Sequence, residues 1–180
     1  MNLKLRLATT ADIPALEKLI RESVASLSNE FYTPAQIESA LTHIFGVDTQ
    51  LISDGTYFIA ERDDRLAGSG GWSKRKTLFG GDQSKSSRAD VLLDPLSEAA
   101  RLRAFYVHPE CSRQGVGSRI LTACEEAARA AGFKRIELVA TLPGERLYSA
   151  RGYVRAEALG LPMANGESLP AFLMTKDLES

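Results

Sequence analysis

Leucines alternate with cations at the start of the chain, Leu3, Leu5 and Leu7 enclosing Lys4 and Arg6. A period of two marks a strand with one buried face. The period then lengthens. Ile13, Leu16, Leu19 and Ile20 recur at helical spacing behind the cap candidates Thr9, Thr10 and Asp12, with Pro14 in the first turn, where a missing N–H costs nothing. A second helix begins at Thr33-Pro34-Ala35-Gln36: Thr33 caps, Pro34 takes the first helical position and Gln36 completes a capping box. Its stripe is Ile37, Leu41, Ile44 and Phe45, and Gly46 ends it. Stretches 56–61 and 66–73 read as two strands joined by the polar turn Arg62-Asp63-Asp64-Arg65.

Residues 74–100 keep neither period. With Gly80-Gly81, Ser86-Ser87 and mixed charge, they read as a long loop of the kind that is usually functional or disordered. A strand over 101–107 stops at His108-Pro109. The strongest amphipathic helix follows, with Ile120, Leu121, Cys124, Ala127, Ala128 and Ala131 on one face, Arg119, Glu125, Glu126 and Arg129 on the other, and Gly132 as its stop. A strand over 135–141, a short helix reaching Arg151, and closing strands over 153–158 and 170–177 complete the order β-α-α-β-β-β-α-β-α-β-β. That order predicts a mixed α/β (α+β) fold, a mixed sheet with helices on both faces.

Composition narrows the classes of function. The 180 residues are 44% hydrophobic and 25% charged, which suits one domain over 1–180 with one core. A net charge of −1 supplies no basic footprint for nucleic acid or an anionic membrane. No apolar run approaches the roughly 18–20 residues of a membrane span, and the alternating N-terminus is not a signal peptide. Cys111 and Cys124 lack metal-ligand spacing and the two histidines lie far apart, so neither a disulfide framework nor a metal site is expected. A reducing compartment, the cytoplasm, is the expectation.

Candidate chemistry concentrates at Ser112-Arg113-Gln114-Gly115-Val116-Gly117-Ser118, between the strand around Phe105 and the long helix. A helix start carries unpaired N–H groups and roughly half a positive charge. Gly115 and Gly117 allow close approach of an anion, and Arg113 adds a cation. A strand, a Gly-x-Gly turn and a helix also occur in many folds for structural reasons alone. The dinucleotide fingerprint is missing, because Ile120 stands where its third glycine belongs, and no Gly-Lys-Ser/Thr makes a P-loop.

Taken together, these segments resemble the GNAT superfamily of N-acetyltransferases over nearly the full chain. Arg103-Ala104-Phe105-Tyr106-Val107-His108-Pro109 is similar to the family's central strand with its Val-x-Pro ending. Ser112 to Gly117 lies on the pattern Gln/Arg-x-x-Gly-x-Gly/Ala, with Ser112 departing from it at the Gln/Arg position. Leu147-Tyr148-Ser149-Ala150-Arg151-Gly152-Tyr153 resembles the family's Tyr-x-x-x-Gly-Phe/Tyr, and Met174 to Leu178 its last strand. The resemblance implies a twisted, mostly antiparallel sheet of about seven strands and direct attack of an amine on the thioester of acetyl-CoA. It assigns the cofactor's pyrophosphate to Arg113, Gln114, Gly115, Val116, Gly117 and Ser118, and its pantetheine and acetyl to the backbone of Phe105, Tyr106 and Val107. No metal is implied.

A neutral nucleophile is needed as well. An alkylamine of pKa near 10.4 is uncharged in about 1 molecule in 2,500 at pH 7, equivalent to roughly 4.6 kcal/mol. A base therefore helps. Glu137 is the first candidate, with Glu30 and Glu145 behind it, each of which also reads as a surface charge. Tyr148 matches the family position of the acid that protonates the departing thiolate; packing under the last helix is its other reading. Tyr32 and Trp72 are candidates to line the acceptor pocket, or equally core aromatics, while Lys74, Arg75 and Lys76 read as a solvated charge run. The expected partner is a small-molecule or peptide amine. Members of the family commonly dimerise, which makes a homodimer an expectation. A non-catalytic acyl-CoA-binding module and a nucleotide-binding αβ domain stay open beside the enzyme.

Overall fold

A computed structural model describes residues 2–85 and 90–179; Ser86 and Ser87 of the expected loop lie outside the described residues. The strands are β1 (Leu3–Leu7), β2 (Tyr57–Arg62), β3 (Arg65–Ser73), β4 (Ala100–Val107), β5 (Arg135–Thr141), β6 (Val154–Pro162) and β7 (Ser168–Asp177). The helices are α1 (Ile13–Leu27), α2 (Pro34–His43), α3 (Thr49–Ser53), α4 (Val116–Ala130) and α5 (Glu145–Ala150). The strands form one sheet in the order β1-β2-β3-β4-β5-β7-β6. The β4–β5 pair is parallel and the other five are antiparallel.

The alternation of side chains decides which helix packs where. Ala60, Ala67, Trp72 and Leu102 face one side, where the stripe Val116, Ile120, Leu121, Cys124 and Ala128 of α4 meets them. Tyr57 and Ile59 face the other side, against Leu16, Leu19, Ile20 and Val24 of α1 and Leu51 of α3. Fully burying one such aliphatic side chain is worth about 1.5–3 kcal/mol, so the two faces together outweigh any single polar contact. A third cluster, with Tyr32, Ala40, Ile44, Leu169 and Ala171, seals α2 against β7.

Three boundaries differ from the sequence pattern, each for a local reason. Helix α2 stops at His43 because Ile44 and Phe45 both direct their N–H groups to the carbonyl of Ala40, and Ile44 turns into the third cluster. Helix α3 has five residues, too few for a readable period, and is marked only by Asp48, whose side chain caps the N–H of Leu51. Strands β6 and β7 run on to Pro162 and start at Ser168. Pro170 fits because β5 pairs with β7 only from Ala171 onward, so no β5 carbonyl lacks a donor there.

Candidate functional site

Strands β4 and β5 pair over only Ala100–Leu102 and Ile136–Leu138 and then part. The cause lies on the other edge of β4. Ser69 and Gly71 of β3 oppose Tyr106 and Arg103, so β4 carries one residue too many and bulges at Ala104, whose φ is 58°. A left-handed conformation at a residue with a Cβ costs about 1–2 kcal/mol, which the clusters on both faces hold in place. Beyond the bulge, hydrogen bonds alternate along β4. The N–H of His108 bonds Ala67 of β3, so that of Tyr106 also faces β3, and those of Phe105 and Val107 point away from it, into the gap. Two of the three expected backbone positions thus open to the wedge. Tyr106 presents its side chain instead, edge-on to Phe45.

A cavity of about 1,070 Å³ runs through this wedge to both faces of the sheet. At one end sits the head of α4. Arg113 and Gly115 take φ of 59° and 83°, which turns successive amides toward one side. The first bond of the helix runs from Arg119 N–H to the carbonyl of Gly115. Among the described residues, the N–H groups from Arg113 to Ser118 donate to no protein acceptor. Arg113 and Arg146 of α5 line the same end and make no ion pair among the described residues. The arrangement suits a multiply charged anion such as a pyrophosphate. Gln114 leaves only its backbone amide free. Its side chain accepts from Arg62 and donates to the carbonyl of Glu110 at 2.7 Å, pinning the loop to β2.

Tyr148 lines the cavity, 7% exposed, with its ring edge-on to Phe105 and Tyr153 at 6.1 and 5.8 Å. Burial pushes its hydroxyl pKa upward, with the Cys124 thiol adding to the effect, so the group is a protonated donor throughout the physiological range. It forms no hydrogen bond to the protein among the described residues, while its ring belongs to the α4-side core. Packing holds the ring and leaves the hydroxyl to the cavity.

The other expected residues fall elsewhere. Glu137 does not reach the cavity; it forms an ion pair with Arg101 where β4 and β5 are still joined. Trp72 packs edge-on against Phe133 in the α4-side core and does not line this cavity. Tyr32 is also internal, its hydroxyl donating to the carbonyl of Pro170 at 2.7 Å and accepting from the N–H of Leu142 at 2.9 Å. It fixes the wall without forming its surface. The carboxylates that do line the cavity are Glu30 and Glu145. Glu145 is paired with Arg155, whereas Glu30 has no ion pair among the described residues. Lys74, Arg75 and Lys76 are partly committed: Arg75 bonds Asp54 at 2.7 Å and Lys76 lies 3.8 Å from Glu98.

No periodicity points to Leu78, Phe79 and Gly80, which form a cavity wall from within the long loop. A buried charge network places them. Arg103 of β4, wholly buried, donates to the carbonyl of Thr77 at 2.6 Å and sits 3.1 Å from Asp48, which Lys85 also contacts. Asp90 lies 3.7 Å from the same guanidinium. Arg103→Met removes this anchor and leaves Lys85 as the one cation beside Asp48 among the described residues. The expected loss is about 1–3 kcal/mol, the scale for leaving a buried polar group unsatisfied. Denaturant unfolding would show it; unchanged stability would mean that the loop is held by other contacts.

Among the described residues, no three His, Cys, Asp or Glu side chains gather as a metal site, and no helix is long and apolar enough to cross a membrane. Comparison with curated proteins finds no match. The sequence profile of the acetyltransferase (GNAT) family matches residues 21–153. Among solved structures, a GCN5-related N-acetyltransferase from Rhodopseudomonas palustris is 21% identical, with 98% of this chain and 96% of that one covered at a TM-score of 0.72. The PaiA N-acetyltransferase from Thermoplasma acidophilum, solved in complex with coenzyme A, is 17% identical over 98% and 99%, TM-score 0.68. Ard1 from Thermoplasma volcanium is 16% identical over the whole of both chains, TM-score 0.64. With the family profile spanning most of the sequence and the seven-stranded sheet parting between β4 and β5, the chain belongs to the GNAT family of acetyltransferases.

Proposed function

We propose that the protein transfers the acetyl group of acetyl-CoA to a primary amine of a small molecule or peptide, by direct attack in the wedge between β4 and β5. One observation carries this reading: six unpaired N–H groups at the head of α4 share a single cavity with the exposed edge of β4 and the hydroxyl of Tyr148. The bound complex of the similar PaiA enzyme supports coenzyme A as the ligand. When bound, acetyl-CoA supplies an activated thioester; the remaining work belongs to this chain.

Residues 113–118 hold the pyrophosphate, with Arg113 and Arg146 as flanking cations. The N–H groups of Phe105 and Val107 orient the pantetheine arm and oppose charge building on a carbonyl oxygen. Glu30 accepts the amine's proton, directly or through water, in place of Glu137. Tyr148 donates its hydroxyl proton to the leaving sulfur and regains one from solvent. The single sheet supports treating residues 1–180 as one working domain, and the cytoplasm remains the proposed compartment on composition.

Coenzyme A at about 100 times its Kd is expected to stabilise the fold by roughly 2.7 kcal/mol. A thermal melt with and without the ligand measures this. An unmoved melting temperature at millimolar coenzyme A would overturn the assignment of the cradle.

A further inference from the structure

We propose that the acceptor is a small primary amine bearing an apolar chain or ring, with its ammonium group at Glu30. This rests on the reading of the site as an amine acetyltransferase and specifies its second substrate. On the α1 side of the wedge the cavity is walled by Leu27, Phe31, Phe45, Leu78 and Phe79. Phe31 is 49% exposed, a large apolar surface that a ring or alkyl chain would cover.

Charge sorts the alternatives. Glu30 is the one carboxylate lining this end among the described residues, and it has no ion pair among them. Among the described residues, the guanidinium on the α1 side, Arg103, is buried and already matched by Asp48 and Asp90. Among the described residues, an acceptor carrying a carboxylate would find its free guanidinium groups, Arg113 and Arg146, only at the α4 end of the cavity, where the pyrophosphate is placed. A polyamine would bring a second ammonium to this end, and among the described residues it would find no second carboxylate there.

Shape closes one side to a long chain. Tyr32 bridges Pro170 and Leu142, and Gln36 donates to the carbonyl of Ser168 at 3.3 Å. Ile44, Leu169 and Ala171 fill the space between α2 and β7 behind these bonds. The acceptor end is therefore closed on the β7 side, and a peptide chain cannot run on in that direction.

The test measures thiol release from saturating acetyl-CoA with 2-phenylethylamine, ethylamine, spermidine, aspartate and a tetrapeptide with a free N-terminus. The kcat/KM for 2-phenylethylamine is expected to exceed each of the others by at least about tenfold, since burying a ring is worth at least the equivalent of that factor. Phe31→Ala, at a half-exposed position where folding is not at stake, and Phe79→Ala should each lower it by about tenfold and leave ethylamine little changed. Glu30→Gln should lower both amines. Preference for spermidine, aspartate or the tetrapeptide would overturn the proposal while leaving an acetyltransferase. If coenzyme A binds but no amine releases thiol, the catalytic reading has failed, and calorimetry decides the pocket separately. Binding of 2-phenylethylamine to the coenzyme A-saturated protein, weakened about tenfold in Phe31→Ala, sustains the proposal; no binding at millimolar amine overturns it.

Discussion

A Gly117→Glu variant is expected to lose at least about 1,000-fold in affinity for coenzyme A. Gly117 stands in the first turn of α4, between Val116 and Ser118 of the unpaired N–H run, and its backbone is ordinary helix. A new Cβ there meets the Cδ2 of Leu147 at 2.9 Å, the far end of a flexible side chain that can move aside. The fold should therefore survive. The added carboxylate would stand beside the position of the pyrophosphate. Two like charges about 4 Å apart repel by roughly 4 kcal/mol at the effective dielectric of a protein surface, which is about a thousandfold in Kd. Gly117→Ala separates sterics from charge and should cost less than tenfold. Calorimetric titration of both variants checks this, and near-native affinity in Gly117→Glu would move the anion site away from α4. Gly115→Glu is a poorer test: open space surrounds that position, but its φ of 83° strains any side chain.

Tyr148→Phe is expected to lower kcat at least tenfold while changing coenzyme A affinity and melting temperature little. A positioned general acid is typically worth about 10²–10⁴ in rate, and water can replace part of it. The ring makes the contacts with Phe105 and Tyr153, and Phe keeps the ring. The hydroxyl makes no protein hydrogen bond among the described residues, so its removal leaves no buried group stranded. Because burial raises the hydroxyl's pKa, the group stays protonated through neutral pH, and its ionisation should add no alkaline limb to the rate profile near pH 7–9. A purely structural tyrosine would show the opposite split, with lost stability and unchanged turnover per folded molecule. Unchanged kcat with an accepted amine would leave solvent as the proton source.

Much of the fold was readable because its periods are long and clean. The stripe Ile120, Leu121, Cys124 and Ala128, the caps at Thr33 and Gln36, and the alternation of Leu3 to Leu7 are local signals, and tertiary packing agrees with them. Ala131, however, falls outside α4 and is exposed, and Glu125 of the expected polar face is buried against Lys176. The structure departs from expectation where a long-range contact decides. Whether Glu137 faces a substrate or an arginine depends on how far β4 stays joined to β5, and that depends on one extra residue near Ala104. No pattern within β5 encodes it. Trp72 and Tyr32 look alike as aromatics near element ends, yet both face inward, because β3 turns Trp72 toward α4 and the α1–α2 link lays Tyr32 against β7. The proposed acceptor wall was hidden for a similar reason. Leu78 and Phe79 belong to a segment without secondary structure, placed by Arg103, Asp48 and Asp90 from three distant stretches of chain.

Local glycine chemistry explains why the other end of the cavity was legible. Gly115 sits in the left-handed region at the mouth of α4, as a sequence with Gly-x-Gly before an amphipathic helix suggests, and Arg113 shares that conformation without being a glycine. Arg146 carries no comparable signal; a lone arginine in a six-residue helix becomes notable only once α5 is folded beside α4.

The most direct test of the account follows both products of one reaction: free thiol by titration and acetylated amine by mass spectrometry, from acetyl-CoA and 2-phenylethylamine or another accepted amine. One acetylated amine is expected for each thiol released, with both losing at least tenfold in rate in Tyr148→Phe and disappearing in Gly117→Glu. Tight coenzyme A binding with no acetylated amine from any primary amine offered, or thiol release without one, would contradict it.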